Sequence, residues 1–240
     1  MILSLEYKKV KRTGFLPVFL GGGILAASVP VVNMAARSEI YLTQQGTPIQ
    51  ILLNANWQLM VMLNLLLVVT GACLLYHTEY TDNAIQKMKS LPVQANSIFF
   101  GKAILTIFMI VFVLAIEAGA TTFCSYHWFQ IRNGLGSELC KSFGYAFLLM
   151  LPCIFLSLLI SEACKNMWVS LGIGIVCIFT ATILPTDNFF LSLFPFATPF
   201  QMFADTDTPH IMHYIYAAAA ELVAFSLAEL ILIKIRRSFE

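Results

Sequence analysis

The chain has 240 residues, of which 59% are hydrophobic and only 11% charged, with a formal net charge of +1. A soluble domain carries about 25% charged residues, so this composition excludes an ordinary water-soluble fold. It also excludes a global basic field of the kind that attracts nucleic acid.

The chain opens with Glu6–Arg12, a short segment in which Lys8, Lys9, Lys11 and Arg12 alternate with apolar residues. Such a pattern predicts an amphipathic helix lying along the membrane surface, or a plain positive anchor before the first span. An apolar run over Gly14–Ala36 follows. It has a basic start and small residues at Ala26, Ala27 and Ser28, as a signal peptide does, but it is long for a signal core and is read as a retained span. Five further runs long enough to cross a bilayer as helices lie at Ala55–Tyr76, Ala103–Phe123, Phe143–Ile160, Met167–Leu184 and Ile211–Ile233. None alternates with period two, and backbone pairing inside lipid leaves the helix as the remaining solution. The expectation is one all-α membrane domain over residues 1–240 with six transmembrane helices.

Orientation follows from the basic residues. Of the fourteen Lys and Arg, eleven fall on one side: Lys8, Lys9, Lys11, Arg12, Lys87, Lys89, Lys102, Lys165, Lys234, Arg236 and Arg237. Arg37, Arg132 and Lys141 fall on the other. Positive residues stay inside, so both termini are expected in the cytoplasm.

The segment from Tyr76 to Lys102 is the longest inner loop. Glu79 and Asp82 lie just below span two. Ala84, Ile85, Met88 and Leu91 then recur at helical spacing, with Gln86, Lys87 and Lys89 on other faces, and Pro92 stops the pattern. This predicts a short cytoplasmic helix whose apolar face needs a partner, because a helix so short has little stability alone. Pro185–His210, between spans five and six, has no Lys or Arg but six Phe and four Pro. It is expected to dip into the outer leaflet as a re-entrant segment of short broken helices.

Glu117, Glu221 and Glu229 fall inside the runs, and no Lys or Arg inside a run stands ready to pair with them. Acids there are expected to face the bundle interior or a cavity, either as neutral, hydrogen-bonded packing elements or as groups that attract a cationic substrate. Signatures of catalysis are missing: the chain holds no HExxH, no GxSxG and no GxxxxGK[ST]. His210 and His213 stand three apart without a third metal ligand, and the six cysteines form no CxxC. Cys124 and Cys140 flank one outer loop, where a bridge is the minority expectation.

The order Glu79, short helix, Ser90-Leu91-Pro92 and Gly101-Lys102 resembles the permeases of ABC-2-type exporters. It is most similar to the small permease subunits of lantibiotic or cationic antimicrobial-peptide immunity transporters. Tyr7–Arg12 matches the interfacial helix of that family, and Trp57 also fits. The resemblance implies that Glu79, Asp82, Ile85, Lys87, Met88, Leu91 and Pro92 belong to a coupling helix that docks on a separate ABC ATPase homodimer, which holds the ATP and magnesium. It implies a second permease subunit, expected to be a paralogue, and residence in a bacterial cytoplasmic membrane. Immunity would come from expelling a cationic or lantibiotic peptide, with no catalytic residue and no cofactor in this chain. The competing readings are a substrate-binding or peptide-sensing membrane subunit without export, and an exporter of lipid or another amphiphile.

Overall fold

The computed structural model describes residues 9–11, 13–80, 95–129, 135–164, 166–184, 188–204 and 208–239. Among them every regular element is helical: α1 is Phe15–Leu42, α2 Pro48–Tyr80, α3 Ala95–Cys124, α4 Leu135–Ala163, α5 Met167–Ile183 and α6 Thr208–Phe239. A π-helical turn, Ser125–Phe129, continues α3. Five of these helices are long and apolar enough to cross a membrane, and α5, with 17 residues, is a shorter apolar helix.

All six expected helical runs are present, but most extend past their apolar stretches. α2 starts at Pro48 rather than Ala55, and α3 at Ala95 rather than Ala103. Hydropathy marks the part of a helix that lipid or core must cover; hydrogen bonding continues beyond it. In α1 the helix kinks at Arg37, whose backbone (φ −142°, ψ 35°) leaves the helical region, and it carries Pro30 within. Hydroxyls inside the helices bond back to carbonyls one turn earlier, as Thr106 does to Lys102 and Ser226 to Leu222. That satisfies them without a water molecule.

α2 is the axis of the bundle. It packs against α1, α3, α4 and α5, while α6 leans on α4 and α3 and is exposed along most of its length. Small residues permit the closest approaches. A Cβ on Gly174 of α5 would stand 2.3 Å from a methyl of Val69 on α2. The main core joins Phe15, Phe19, Leu65, Val68, Ile110, Met150 and Ile154 from four helices.

The Phe-rich stretch folds as the prolines predict. A four-residue helix, Phe189–Ser192, is capped by Asn188, whose side chain accepts from the Phe190 N–H at 3.2 Å. Turns follow, then a 3-10 turn, Thr198–Phe200. The stretch packs back onto the bundle: Phe196 is fully buried, and the hydroxyls of Ser192 and Tyr214 lie 2.7 Å apart. Phe190 alone among its phenylalanines points wholly outward. Cys124 and Cys140 are both free thiols, the first buried and the second exposed.

Candidate functional site: a buried charged junction

Three polar side chains of α2 share one face. Tyr76, Glu79 and Tyr80 stand at i, i+3 and i+4, so they meet the same neighbours. Glu79 is 6% exposed. Its Oε2 lies 2.5 Å from the Nζ of Lys102 on α3, and its Oε1 lies 3.4 Å from the Nζ of Lys9. Lys102 is wholly enclosed, and its ammonium sits 3.8 Å from the centre of the Tyr76 ring, whose face is electron-rich. Phe99, Phe100 and Phe155 form an aromatic cluster beside it.

The network continues into α4. The Tyr76 hydroxyl donates to Glu162 Oε2 at 3.0 Å, and the Tyr80 hydroxyl donates to the Glu162 carbonyl at 2.5 Å. Glu229 of α6 is also buried. One turn along α2, Cys73 donates to Ser170 of α5 at 3.3 Å, and Ser170 lies 2.9 Å from Ser161 of α4. A single polar layer therefore ties α2 to α3, α4 and α5 at one end of the bundle.

The location gives the layer its meaning. Glu79 and Lys102 stand on the two stems of the 81–94 segment, so their ion pair clamps the stems together. A buried pair with additional hydrogen bonds is rigid, because any separation strands a charge away from water.

Glu79, expected just below span two as part of a docking helix, instead lies within α2 and inside the bundle. Lys102, read as a loop residue, is the buried cation that neutralises it. Of the remaining coupling candidates, Asp82, Ile85, Lys87, Met88, Leu91 and Pro92 lie outside the described residues, as do Lys8 and Arg12. Lys9 carries the contact to Glu79, and Lys11 is exposed. Tyr76, Tyr80 and Glu162 were not singled out from sequence. The available signal was a lone Lys in an apolar run, which demands a nearby acid.

The three membrane acids part company. Glu117 of α3 is completely buried and accepts from Asn64 Nδ2 of α2 at 3.1 Å. Its second oxygen and Asn64 Oδ1 have no hydrogen-bond partner among the described residues. Glu229 is buried in α6, whereas Glu221 of the same helix is half-buried and alone of the three keeps an exposed part. No hydrogen bond or ion pair joins Glu117 to Glu221 among the described residues. Asn64→Leu, which strands the buried Glu117 carboxyl, is expected to lose about 1–3 kcal/mol, whereas Glu117→Gln should change stability far less. Thermal melts of the two variants in detergent check this; equal melting would show that the Asn64–Glu117 bond contributes nothing.

His210 and His213 stand with ring centroids 6.0 Å apart, next to Phe189. Among the described residues no three His, Cys, Asp or Glu side chains form a group able to hold a metal.

An all-helical bundle with five helices long and apolar enough to cross a membrane defines the class of multi-pass membrane proteins. The family described as ABC-2 family transporter protein matches residues 2–181, three quarters of the chain, which includes the 81–94 segment and both of its stems. The chain belongs to that family and is a permease subunit that works with an ABC ATPase. No curated protein and no solved structure matches it.

Proposed function

We propose that this permease subunit expels cationic or lantibiotic antimicrobial peptides from a bacterial cytoplasmic membrane and so confers immunity. All six helices cross the bilayer, with both termini in the cytoplasm, in keeping with the eleven-to-three distribution of Lys and Arg. An ATPase homodimer, carrying ATP and magnesium, docks on the Ala84–Leu91 helix, and a second, paralogous permease completes the assembly. The observation that carries the coupling role is the Glu79–Lys102 pair, which makes the two stems of the docking segment move together. The peptide substrate rests on the resemblance of Glu79–Lys102 to immunity permeases, and Glu221, the half-exposed acid of α6, is the group suited to meet a cationic substrate.

In this mechanism, closure of the ATPases pushes Ile85, Met88 and Leu91, whose apolar face wedges into the ATPase. Lys87 and Asp82 fix the register at its rim. The push tilts α2 and α3 as a unit, and the polar layer passes it to α4 and α5. Leu91→Asp is expected to leave the protein in the membrane at normal levels while the ATPase no longer co-purifies and peptide resistance is lost. Survival of resistance in Leu91→Asp, with no ATPase bound to the native protein, would remove the coupling role. Labelling of a Met88→Cys thiol by an impermeant reagent from outside the cell would reverse the topology. Separately, normal resistance in well-expressed Glu221→Gln would show that this acid does not recruit the peptide.

A further inference from the structure

At the opposite end of α1 and α2 from the junction, an open groove of about 570 Å³ runs between the two helices. That volume falls within the about 300–1,000 Å³ usual for small-molecule sites. Leu25, Val32 and Leu59 supply apolar wall, and Arg37, Asn33 and Asn56 supply the polar part. No acidic side chain is among the described residues that line it.

The hydrogen bonds of the polar part run in one direction. The Tyr41 hydroxyl donates to Asn33 Oδ1 at 3.1 Å, and Asn33 Nδ2 donates to Asn56 Oδ1 at 2.8 Å. Asn56 Nδ2 in turn donates to the Leu52 carbonyl at 2.8 Å. Each amide oxygen already accepts one hydrogen bond, while each NH₂ group keeps one hydrogen to give. Asn56 is 3% exposed, so its spare donor is held in place inside the wall. Arg37 adds a guanidinium that makes no ion pair among the described residues, at the point where the helix kink opens the end of the groove. The free donors and the positive charge of Arg37 thus gather beside a slot of aliphatic side chains.

We propose that this groove binds one anionic phospholipid, its phosphate on Arg37 and the spare amide hydrogens of Asn33 and Asn56, and one acyl chain along Leu25, Val32 and Leu59. A phosphate diester offers only acceptors, which is what the donor set lacks, and guanidinium holds phosphate through paired hydrogen bonds. A lipid with no cation of its own leaves Arg37 as its counter-charge, so the site discriminates phosphatidylglycerol from phosphatidylcholine. The lipid need not be cargo: seated between α1 and α2, it fixes the spacing of the helix pair that leads down to the junction.

The experiment takes the full chain, purified with its partner subunits from nanodiscs made of phosphatidylglycerol and phosphatidylcholine in equal parts. It measures the lipid retained after exchange into delipidating detergent. The expected result is about one phosphatidylglycerol per chain and little phosphatidylcholine. Arg37→Glu should lower retention about tenfold. Leu59→Trp, which fills the slot at an exposed position, should lower it comparably without altering the charge. Lys141→Glu, on exposed surface at α4, should leave it unchanged. Equal retention of both lipids, or full retention by Arg37→Glu, overturns the proposal. So does disulfide cross-linking of Val32→Cys to a neighbouring permease in high yield, since the groove would then be an interface between subunits.

Discussion

Lys102→Met is expected to lower the stability of the folded chain by about 3–5 kcal/mol, and adding Glu79→Gln is expected to return most of that loss. The asymmetry comes from desolvation. Lys102 is wholly enclosed and Glu79 nearly so, with ammonium and carboxylate 2.5 Å apart. Removing the cation alone leaves a carboxylate whose remaining basic neighbour among the described residues, Lys9, is 3.4 Å away on a side chain 37% exposed to solvent. A pair of that kind contributes little in water-like surroundings. Removing both charges leaves two uncharged side chains of similar size, and replacing a buried ion pair in this way is often close to neutral. Thermal melts of the purified chain, alongside expression in the membrane, separate the cases. If Lys102→Met melts with the native protein, the ammonium is not committed to Glu79. The double variant also tests function independently of folding: well folded but without the clamp, it should hydrolyse ATP with its partners yet give little peptide resistance. Full resistance in that variant would mean the pair serves stability alone.

The helices were legible in the sequence because composition dictates them: apolar runs of bilayer length allow few other structures. Their ends were less so. α2 reaches down to Pro48 through Ile49, Ile51, Leu52 and Leu53, all buried, though Asn54 and Asn56 had dampened the hydropathy there. Asn56, inside the predicted run, is a link in a hydrogen-bonded chain between α1 and α2. The broken form of the Phe-rich segment was legible because Pro195 and Pro199 limit a helix wherever they fall. Partnership was not legible. Nothing local to Glu79 says that its carboxylate meets Lys102 rather than water, nor does anything local to Glu117 name Asn64. Such pairs are fixed by which helix faces which, a tertiary property. What sequence does provide is the demand for a partner, and in Lys102, flanked by Phe99, Phe100 and Ala103, that demand was visible.

Gly71→Val is expected to destabilise the bundle by about 1–3 kcal/mol through overpacking, against a compensating gain when Phe19 is shortened to Leu in the same chain. Gly71 lies in the middle of α2, where α1 crosses it. A Cβ there would approach Phe19 to 2.6 and 2.8 Å and Phe15 to 3.2 Å. Both phenylalanines are fully buried, and their ring centroids are 4.7 Å apart, so neither ring can swing clear without displacing the other. Gly22 of α1 is a useful contrast. Its Cβ would meet Leu67 at 2.3 Å, but at the tip of a flexible side chain that can turn aside. Gly119 of α3 has open space around it, and Gly119→Ala should hold or slightly raise stability through helix propensity alone. Melting temperatures of the Gly71, Gly22 and Gly119 variants should therefore fall in that order, lowest first. If Gly71→Val melts with the native protein, α1 does not approach α2 closely, and the groove between them loses the contact that holds its walls in register.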